Sequence, residues 1–323
     1  MNIKEIQKYL IDNISELKYI KEPKELYEPL DYMMALGGKR TRPLMVLIAH
    51  SLFKKDYKKS IHAALAIETF HNFSLIHDDI MDEAPLRRGM PTVHEKWNHN
   101  IAILSGDVML VKAYEHLCQY DNELLPYLLK LFNQTAIEVC EGQQLDMLFE
   151  KAKDVSINQY IKMIELKTAV LLACSLKMGA LIAGAAHDDA DKLYEFGRLM
   201  GIAFQLRDDY LDVYANPEKF GKQVGGDIIA NKKTLLWLEA QTLANQDQLA
   251  EFNHWESQEV FRAEDKVNAI TKIYNELNIP KITEDKINEF ANKAFQILDS
   301  IHADVEAKGI LLKLSEELLI RES

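Results

Sequence analysis

Glycine and proline are scarce, at 13 and 8 in 323 residues. So few chain breakers exclude a fold of many short strands and turns and favour long helices. Cysteine is scarcer still. Cys118, Cys140 and Cys174 lie far apart with no CxxC pair. That excludes a disulfide scaffold and a thiolate zinc site, and fits a reducing, cytoplasmic compartment. Positive charge is in deficit, with a formal net charge of −12. A chain without dominant clustered cations is a poor general binder of nucleic acid or anionic membrane, so neither is expected as a partner. No stretch approaches the roughly 18 uncharged apolar residues of a membrane span. The most apolar region, residues 163–186, is interrupted by Glu165, Lys167 and Lys177 and reads as a buried helix, so no stable membrane anchor is expected. Residues 1–20 alternate charged and apolar side chains at helical spacing and lack the apolar core of a secretion signal.

Apolar residues make up 48% of the chain and charged ones 27%, which supplies a large core and excludes global disorder. Apolar or small side chains recur at three- and four-residue steps over 61–81, 127–149, 157–186, 191–214, 232–245 and 284–302. Several of these segments are apolar nearly all round, the mark of helices surrounded by other helices. The breaks are short: Gly37-Gly38, 54–59, 84–91, 216–226 and 278–280. Residues 188–191, following Gly184, read as a helix stop and then a cap. There is no βαβ alternation, no repeat of fixed period and no linker between unlike halves. The expectation is one all-α domain over residues 1–323.

Two similar acidic patches stand out. The first is Leu75-Ile76-His77-Asp78-Asp79-Ile80-Met81-Asp82; the second is Gln205-Leu206-Arg207-Asp208-Asp209-Tyr210-Leu211-Asp212. Each is Asp-Asp-x-x-Asp at the end of an apolar helical run. Residues i and i+4 of a helix point within about 40° of each other, one turn apart. Asp78 therefore aligns with Asp82, and Asp208 with Asp212, while Asp79 and Asp209 lie off that axis. Stacked carboxylates on an otherwise apolar helix repel one another and are costly without a positive partner. Oxygen ligands without a Cys or His set suit a hard ion such as Mg²⁺, which is held by one or two carboxylates, water and substrate phosphates. Two such clusters suggest Mg²⁺ ions clamping a diphosphate. Asp188-Asp189-Ala190-Asp191 has different spacing and no apolar helix before it, and is assigned to capping.

Basic segments answer a second diphosphate. Gly37-Gly38-Lys39-Arg40-Thr41-Arg42-Pro43 joins a glycine turn to three cations; glycine admits close backbone approach, and arginine reads phosphate in bidentate fashion. It lacks the spacing of a Walker loop. Arg87-Arg88-Gly89 follows the first acidic patch. Lys222, Gly225-Gly226-Asp227 and Asn231-Lys232-Lys233-Thr234 follow the second. His94 and His99 are at i and i+5, not the i and i+4 of a helical zinc protease. His77 reads as structural, and His94 is left open. There is no G-x-S-x-G elbow and no G-x-G-x-x-G.

Together these motifs resemble the trans-isoprenyl diphosphate synthases, also called polyprenyl synthetases. GGKRTRP, HDDIMD…RRGMPTVH, LKT, FQLRDDYLD, GKQVGGDI and NKKT stand in that family's order and spacing. The segment after Thr234 carries no diagnostic motif. The resemblance implies an all-α bundle around a deep central cavity and a homodimer, for which helices at 101–118 and 127–149 are candidate contact faces. It implies three Mg²⁺ ions bridging the aspartates and the allylic diphosphate, with Asp78, Asp82 and Asp208 as ligands and Asp79, Asp209 and Asp212 completing the metal set. Lys39, Arg42, His71 and Arg88 match positions that hold isopentenyl diphosphate. Arg87, Lys167, Lys222 and Lys232 match those gripping the allylic diphosphate. Thr168 and Gln205 match residues whose oxygens face the developing allylic cation, and with Lys167 they form the expected catalytic group.

The activity so implied is head-to-tail condensation of the two substrates. For chain length, Phe73 and Ser74 lie five and four residues before Asp78, about one turn deeper on the helix. A bulky residue there acts as a floor in the family, and no two-residue insertion separates Asp78 from Asp82. That combination resembles producers of C20 geranylgeranyl diphosphate; C15 farnesyl diphosphate and longer products are the alternatives. A terpene cyclase would not need the second set of cations, and a non-catalytic subunit of a heteromeric synthase typically loses aspartates that are intact here.

Overall fold

A computed structural model of the chain describes residues 2–215, 224–258 and 260–320. The helices begin where the sequence supplies caps. Asn2 accepts a hydrogen bond from Lys4 N at the start of α1 (Ile3–Glu16). The next helices are α2 (Lys24–Ala35), α3 (Thr41–Ser51) and α4 (Ile61–Met81). They are followed by α5 (Val93–Lys96) and by α6 (His99–Leu117), which Asn98 caps through Ile101 N. Then come α7 (Leu125–Lys151), α8 (Ile157–Ile164), α9 (Val170–Ile182) and α10 (His187–Tyr214). Ser156 and Gln159 form a reciprocal capping box at the start of α8. Beyond residue 224 the chain forms helices Gly226–Ile229, Leu235–Leu243, Gln246–Ser257, Ala263–Glu276, Ile279–Asp299 and Val305–Leu319.

Two features depart from the expected helix pattern. Residues 157–186 are not one helix: α8 and α9 are joined by a π-helical turn, Glu165–Ala169. Residues 188–191 lie within the first turns of α10 rather than before it. There Asp189 is buried and accepts a hydrogen bond from His302 N at 3.1 Å. A further detail was not anticipated within 84–91. Leu86–Arg87 and Met90–Pro91, here β1 and β2, form an antiparallel pair across Arg88 and Gly89. Both turn residues have positive φ, 54° and 76°, as a type I′ hairpin turn requires.

The chain divides into two compact units. One comprises Met1–Thr135, Leu171–Tyr194 and Ile301–Leu311. Its centre is α4, whose Ala63, Ala64, Ala66 and Ile67 are fully buried. Small residues on several sides let α4 pack closely on α6 and α3 at once. The other comprises Ala136–Val170, Glu195–Ser300 and Leu312–Ser323. A second apolar cluster there joins Val213 and Ile228 to Leu236, Phe252, Ile270 and Tyr274. The two aspartate motifs sit at the C-terminal ends of α4 and α10, one in each unit.

Candidate active site

In the first unit, Asp82 caps α4 and its N–H donates to Asp78 O at 2.9 Å, so the two carboxylates are stacked one helical turn apart. Asp79 faces the other way and is 1% exposed. Nε of Arg87 donates to Asp79 Oδ2 at 2.8 Å and Nη2 to Oδ1 at 2.6 Å. Burial lifts the Asp79 carboxyl above its ordinary pKa in spite of this pairing. The hairpin turn aims the next residue elsewhere. Arg88 donates to Gly37 O. Gly38 has a φ of +121°, a conformation that favours glycine, and a Cβ there would come within 2.8 Å of the Arg88 guanidinium.

His71 stands among these cations. Nη1 of Arg42 is 3.4 Å from His71 Nε2. Burial, reinforced by Arg42, Arg88, Arg87 and Arg40, holds the His71 imidazole well below its usual pKa. It is therefore a neutral hydrogen-bonding group in a cationic setting. Lys39 is exposed, whereas the next residue, Arg40, turns inward. Arg40 begins α3 with a left-handed φ of 47° and binds buried Glu68 and Met34 O. Of the three cations in the glycine turn, Arg40 is thus a framework residue.

Phe73 packs against Phe70 and His77, with ring centroids 5.5 and 4.8 Å away. Ser74 turns its hydroxyl back to His71 O at 2.8 Å. His77 is anchored 3.2 Å from Ile103 O, and His94 is buried with its ring tilted against that of His99, centroids 5.0 Å apart.

The second unit holds a cavity of about 390 Å³. Asp208, Asp212 and Asp227 contribute to its wall together with Lys167, Lys232, Thr168 and Gln205. Thr168 Oγ1 donates to Gln205 Oε1 at 3.0 Å, and Gln205 Nε2 donates to Asp209 Oδ1 at 3.0 Å. Tyr160 donates its hydroxyl to the other Asp209 oxygen. Asp209 is pushed up to about 8, first by burial and then by the charges of Asp227 and Asp208. Lys167 Nζ donates to Asp146 Oδ2 at 2.5 Å. Asp212 Oδ2 accepts from Asp227 N at 2.8 Å, and Lys232 Nζ is 3.9 Å from Asp227 Oδ1. Lys222 lies outside the described residues.

Lys167 and Thr168 owe their placement to the π-turn, a local widening that recurs at functional sites. The turn is held between two glycines. A Cβ at Gly142 on α7 would fall 2.2 Å from Lys167 N, and one at Gly201 on α10 would fall 2.5 Å from Ala169 Cα.

The middle aspartate of each motif is therefore engaged with protein: Asp79 with Arg87, and Asp209 with Tyr160 and Gln205. The turn of about 100° per residue sends the second aspartate of each pair into the packed side of its helix. Arg87 has its guanidinium edge on Asp79, and its Nη2 also lies 3.7 Å from Asp78 Oδ2. Among the described residues, no group of three or more His, Cys, Asp and Glu side chains forms a ready metal cage. The donor set still fits a hard ion. It is all oxygen, it carries more carboxylate than cation around Asp208, Asp212 and Asp227, and Mg²⁺ ordinarily completes its shell with water and substrate phosphate.

Residues 23–276 match the polyprenyl synthetase family. A geranylgeranyl diphosphate synthase of Methanosarcina mazei is 44% identical over 229 residues, 70% of this chain and 71% of that one. The chain belongs to the polyprenyl synthetase family. It is accordingly a prenyltransferase, and the family acts on isopentenyl and allylic diphosphates, generally with Mg²⁺. A geranylgeranyl pyrophosphate synthase of Geoglobus acetivorans is 40% identical over 240 residues, 74% of this chain and 75% of that one. A solved geranylgeranyl pyrophosphate synthase shares 40% identity and superposes with a TM-score of 0.95 over 100% of both chains. The all-α isoprenoid synthase fold expected from the motifs is thus the observed fold. No helix among the described residues is long and apolar enough to cross a membrane.

Sequence reasoning did not single out Asp146, Tyr160 or Gly142. Asp146 and Tyr160 are ordinary residues in helical runs, identifiable only once Lys167 and Asp209 are in place. Gly142 carried a signal: a glycine inside an apolar helical run is costly and marks close approach.

Proposed function

We propose that the chain condenses isopentenyl diphosphate with an allylic diphosphate, head to tail, giving trans C20 geranylgeranyl diphosphate. The observation that carries this is the second-unit cavity, where carboxylates and lysines surround an aligned Thr168–Gln205 oxygen pair. Asp78, Asp82, Asp208 and Asp212 are the residues that would hold Mg²⁺. When bound, Mg²⁺ supplies charge neutralisation for the departing diphosphate.

Lys167 and Lys232, with Lys222, hold the allylic diphosphate by charge-assisted contacts. As the allylic C–O bond breaks, its electron pair leaves with the diphosphate. The Thr168 and Gln205 oxygens stabilise the positive charge left on carbon. Lys39, Arg42, His71 and Arg88 hold isopentenyl diphosphate so that its double bond supplies the pair for the new C–C bond, a task of positioning. A proton then leaves the adjacent carbon to the released diphosphate, restoring a double bond. No side-chain nucleophile takes part. Phe73 and Ser74 limit the length of the growing tail.

We further propose that the chain acts as a single catalytic domain and a cytoplasmic homodimer. Ile103, Leu104 and Val111 on α6 are 43 to 58% exposed, an apolar face suited to a second copy, and Cys118, Cys140 and Cys174 are free thiols.

The test is product size. The purified chain would be given Mg²⁺, isopentenyl diphosphate and, separately, C5, C10 and C15 allylic primers, and the dephosphorylated products sized by mass spectrometry. Accumulation at C20, with Phe73→Ala extending the product, is the expected result. A C15 stop would move the floor closer to the aspartates. Unchanged length in Phe73→Ala would remove the floor assignment, and absence of condensation from every primer would overturn the activity.

A further inference from the structure

The helix Ala263–Glu276 lies in the part of the sequence without any family motif, yet it carries Lys266, a cation only 1% exposed. Fully buried lysines are rare unless they are held by specific partners. Lys266 Nζ donates to Asn231 Oδ1 at 2.6 Å and to Ile229 O at 3.2 Å. It also lies 4.5 Å from the Phe261 ring centroid, on its face. Ile229 is the last residue of the short helix Gly226–Ile229, so the ammonium sits at the carbonyl end of that helix. Asn231 adopts a left-handed φ of 54°, and its Nδ2 donates to Glu256 O at 3.4 Å. Next along the same helix, Val267 stands against the other end of the segment. A Cβ at Gly225 would be 2.6 Å from a Val267 methyl.

The segment gripped at both ends carries the diphosphate chemistry. Asp227 donates its N–H to Asp212 at 2.8 Å, and Lys232 N donates to Asp227 O at 2.9 Å. The path from Lys266 to Lys232 is one residue beyond Asn231. Nothing else in the mechanism requires a buried cation on this helix.

We infer that Lys266 is a positioning residue for the allylic-diphosphate segment: its ammonium fixes the Ile229–Asn231 turn and thereby places Asp227 and Lys232. The inference rests on the prenyltransferase reading for what the segment binds, but the brace itself does not. Burial lowers the proton affinity of Lys266 and the Glu256 charge opposes that shift; the two acceptors and the Phe261 ring fix where the amine sits.

The test compares Lys266→Met, Lys266→Arg and Asn231→Gly in the full chain. Methionine keeps the apolar stem and removes the donors; glycine keeps the left-handed turn and removes the acceptor. Lys266→Met and Asn231→Gly should each raise the KM for geranyl diphosphate by about tenfold, the size of one lost charge-assisted hydrogen bond. KM for isopentenyl diphosphate should stay within about twofold, and Lys266→Arg should recover most of the loss. The double variant should be little worse than either single one, because both remove the same contact. Hydrogen exchange of a peptide spanning 226–234 should quicken in Lys266→Met while peptides of α4 do not change. Equal rises in both KM values, an unchanged KM for geranyl diphosphate, or unchanged exchange over 226–234 would each overturn the inference. Failure of the unmodified chain to condense the two substrates would instead count against the activity, and the exchange measurement would still decide the brace.

Discussion

Arg87 and Asp79 show how one residue can be adjacent to the chemistry and yet belong to the framework. The pair is bidentate and Asp79 is 1% exposed, so removing one partner strands a buried charge. Breaking such a pair costs about 3 kcal/mol or more, whereas replacing both members with apolar residues of similar size is close to neutral. Arg87→Met should therefore lower the urea midpoint sharply, and Asp79→Leu with Arg87→Met should recover most of it. Equal stability of the single and double variants would mean that the Asp79 carboxyl has found another partner. Only the orientation of Asp79 was legible beforehand. The helical offset sets it apart from Asp78 and Asp82, but Arg87 reaches it from the first strand of a hairpin that the stretch 84–91 does not announce. The Gln205 contact of Asp209 follows from i, i+4 spacing within the second motif, whereas the Tyr160 contact comes from another helix and could not be read from it.

At the scale of elements, the repeated Asp-Asp-x-x-Asp pattern was visible because helical spacing carries it, and both motifs do fall at helix ends. The π-turn was not visible. Hydrophobic periodicity tolerates one extra residue, so 157–186 reads as a single helix, and what opens the turn is the approach of α7 and α10 through Gly142 and Gly201. Glycine in a helix ordinarily weakens it by about 0.5–1 kcal/mol relative to alanine, which makes a paired comparison decisive. Gly142→Ala would place a Cβ 2.2 Å from Lys167 N; it should destabilise the chain by about 1–3 kcal/mol and reduce kcat by shifting Lys167 and Thr168. Gly309, inside the helix Val305–Leu319, is exposed and has no atom within 4 Å of an added Cβ. Gly309→Ala should raise stability by about 0.5–1 kcal/mol and leave kcat unchanged. Calorimetry and steady-state rates on the two variants check both signs. A Gly142→Ala chain as stable and as fast as the original would mean that the π-turn can relax at no cost.

Across the whole molecule the net charge is −12, and part of that excess is concentrated where Asp208, Asp212 and Asp227 line one cavity; burial, and then the Asp227 and Asp208 charges, lift the Asp209 carboxyl there. Like charges held together by a fold lower its stability, and a ligand that binds only the folded chain raises it by mass action. The excess sign also specifies the ligand. Carboxylates and lysines in one cavity suit an anion that arrives with divalent cations, rather than either alone. Inorganic diphosphate with Mg²⁺ should therefore raise the Tm by several degrees at saturation, since a ligand at about 100 times its Kd contributes about 2.7 kcal/mol. Diphosphate with a chelator, or Mg²⁺ by itself, should each do much less than the pair. Asp208→Asn and Asp212→Asn should shrink the paired shift while raising the Tm of the bare chain, because each removes one of the crowded charges. Full stabilisation by diphosphate in the presence of chelator would assign the anion to the lysines and arginines alone and leave the aspartates without a metal to hold.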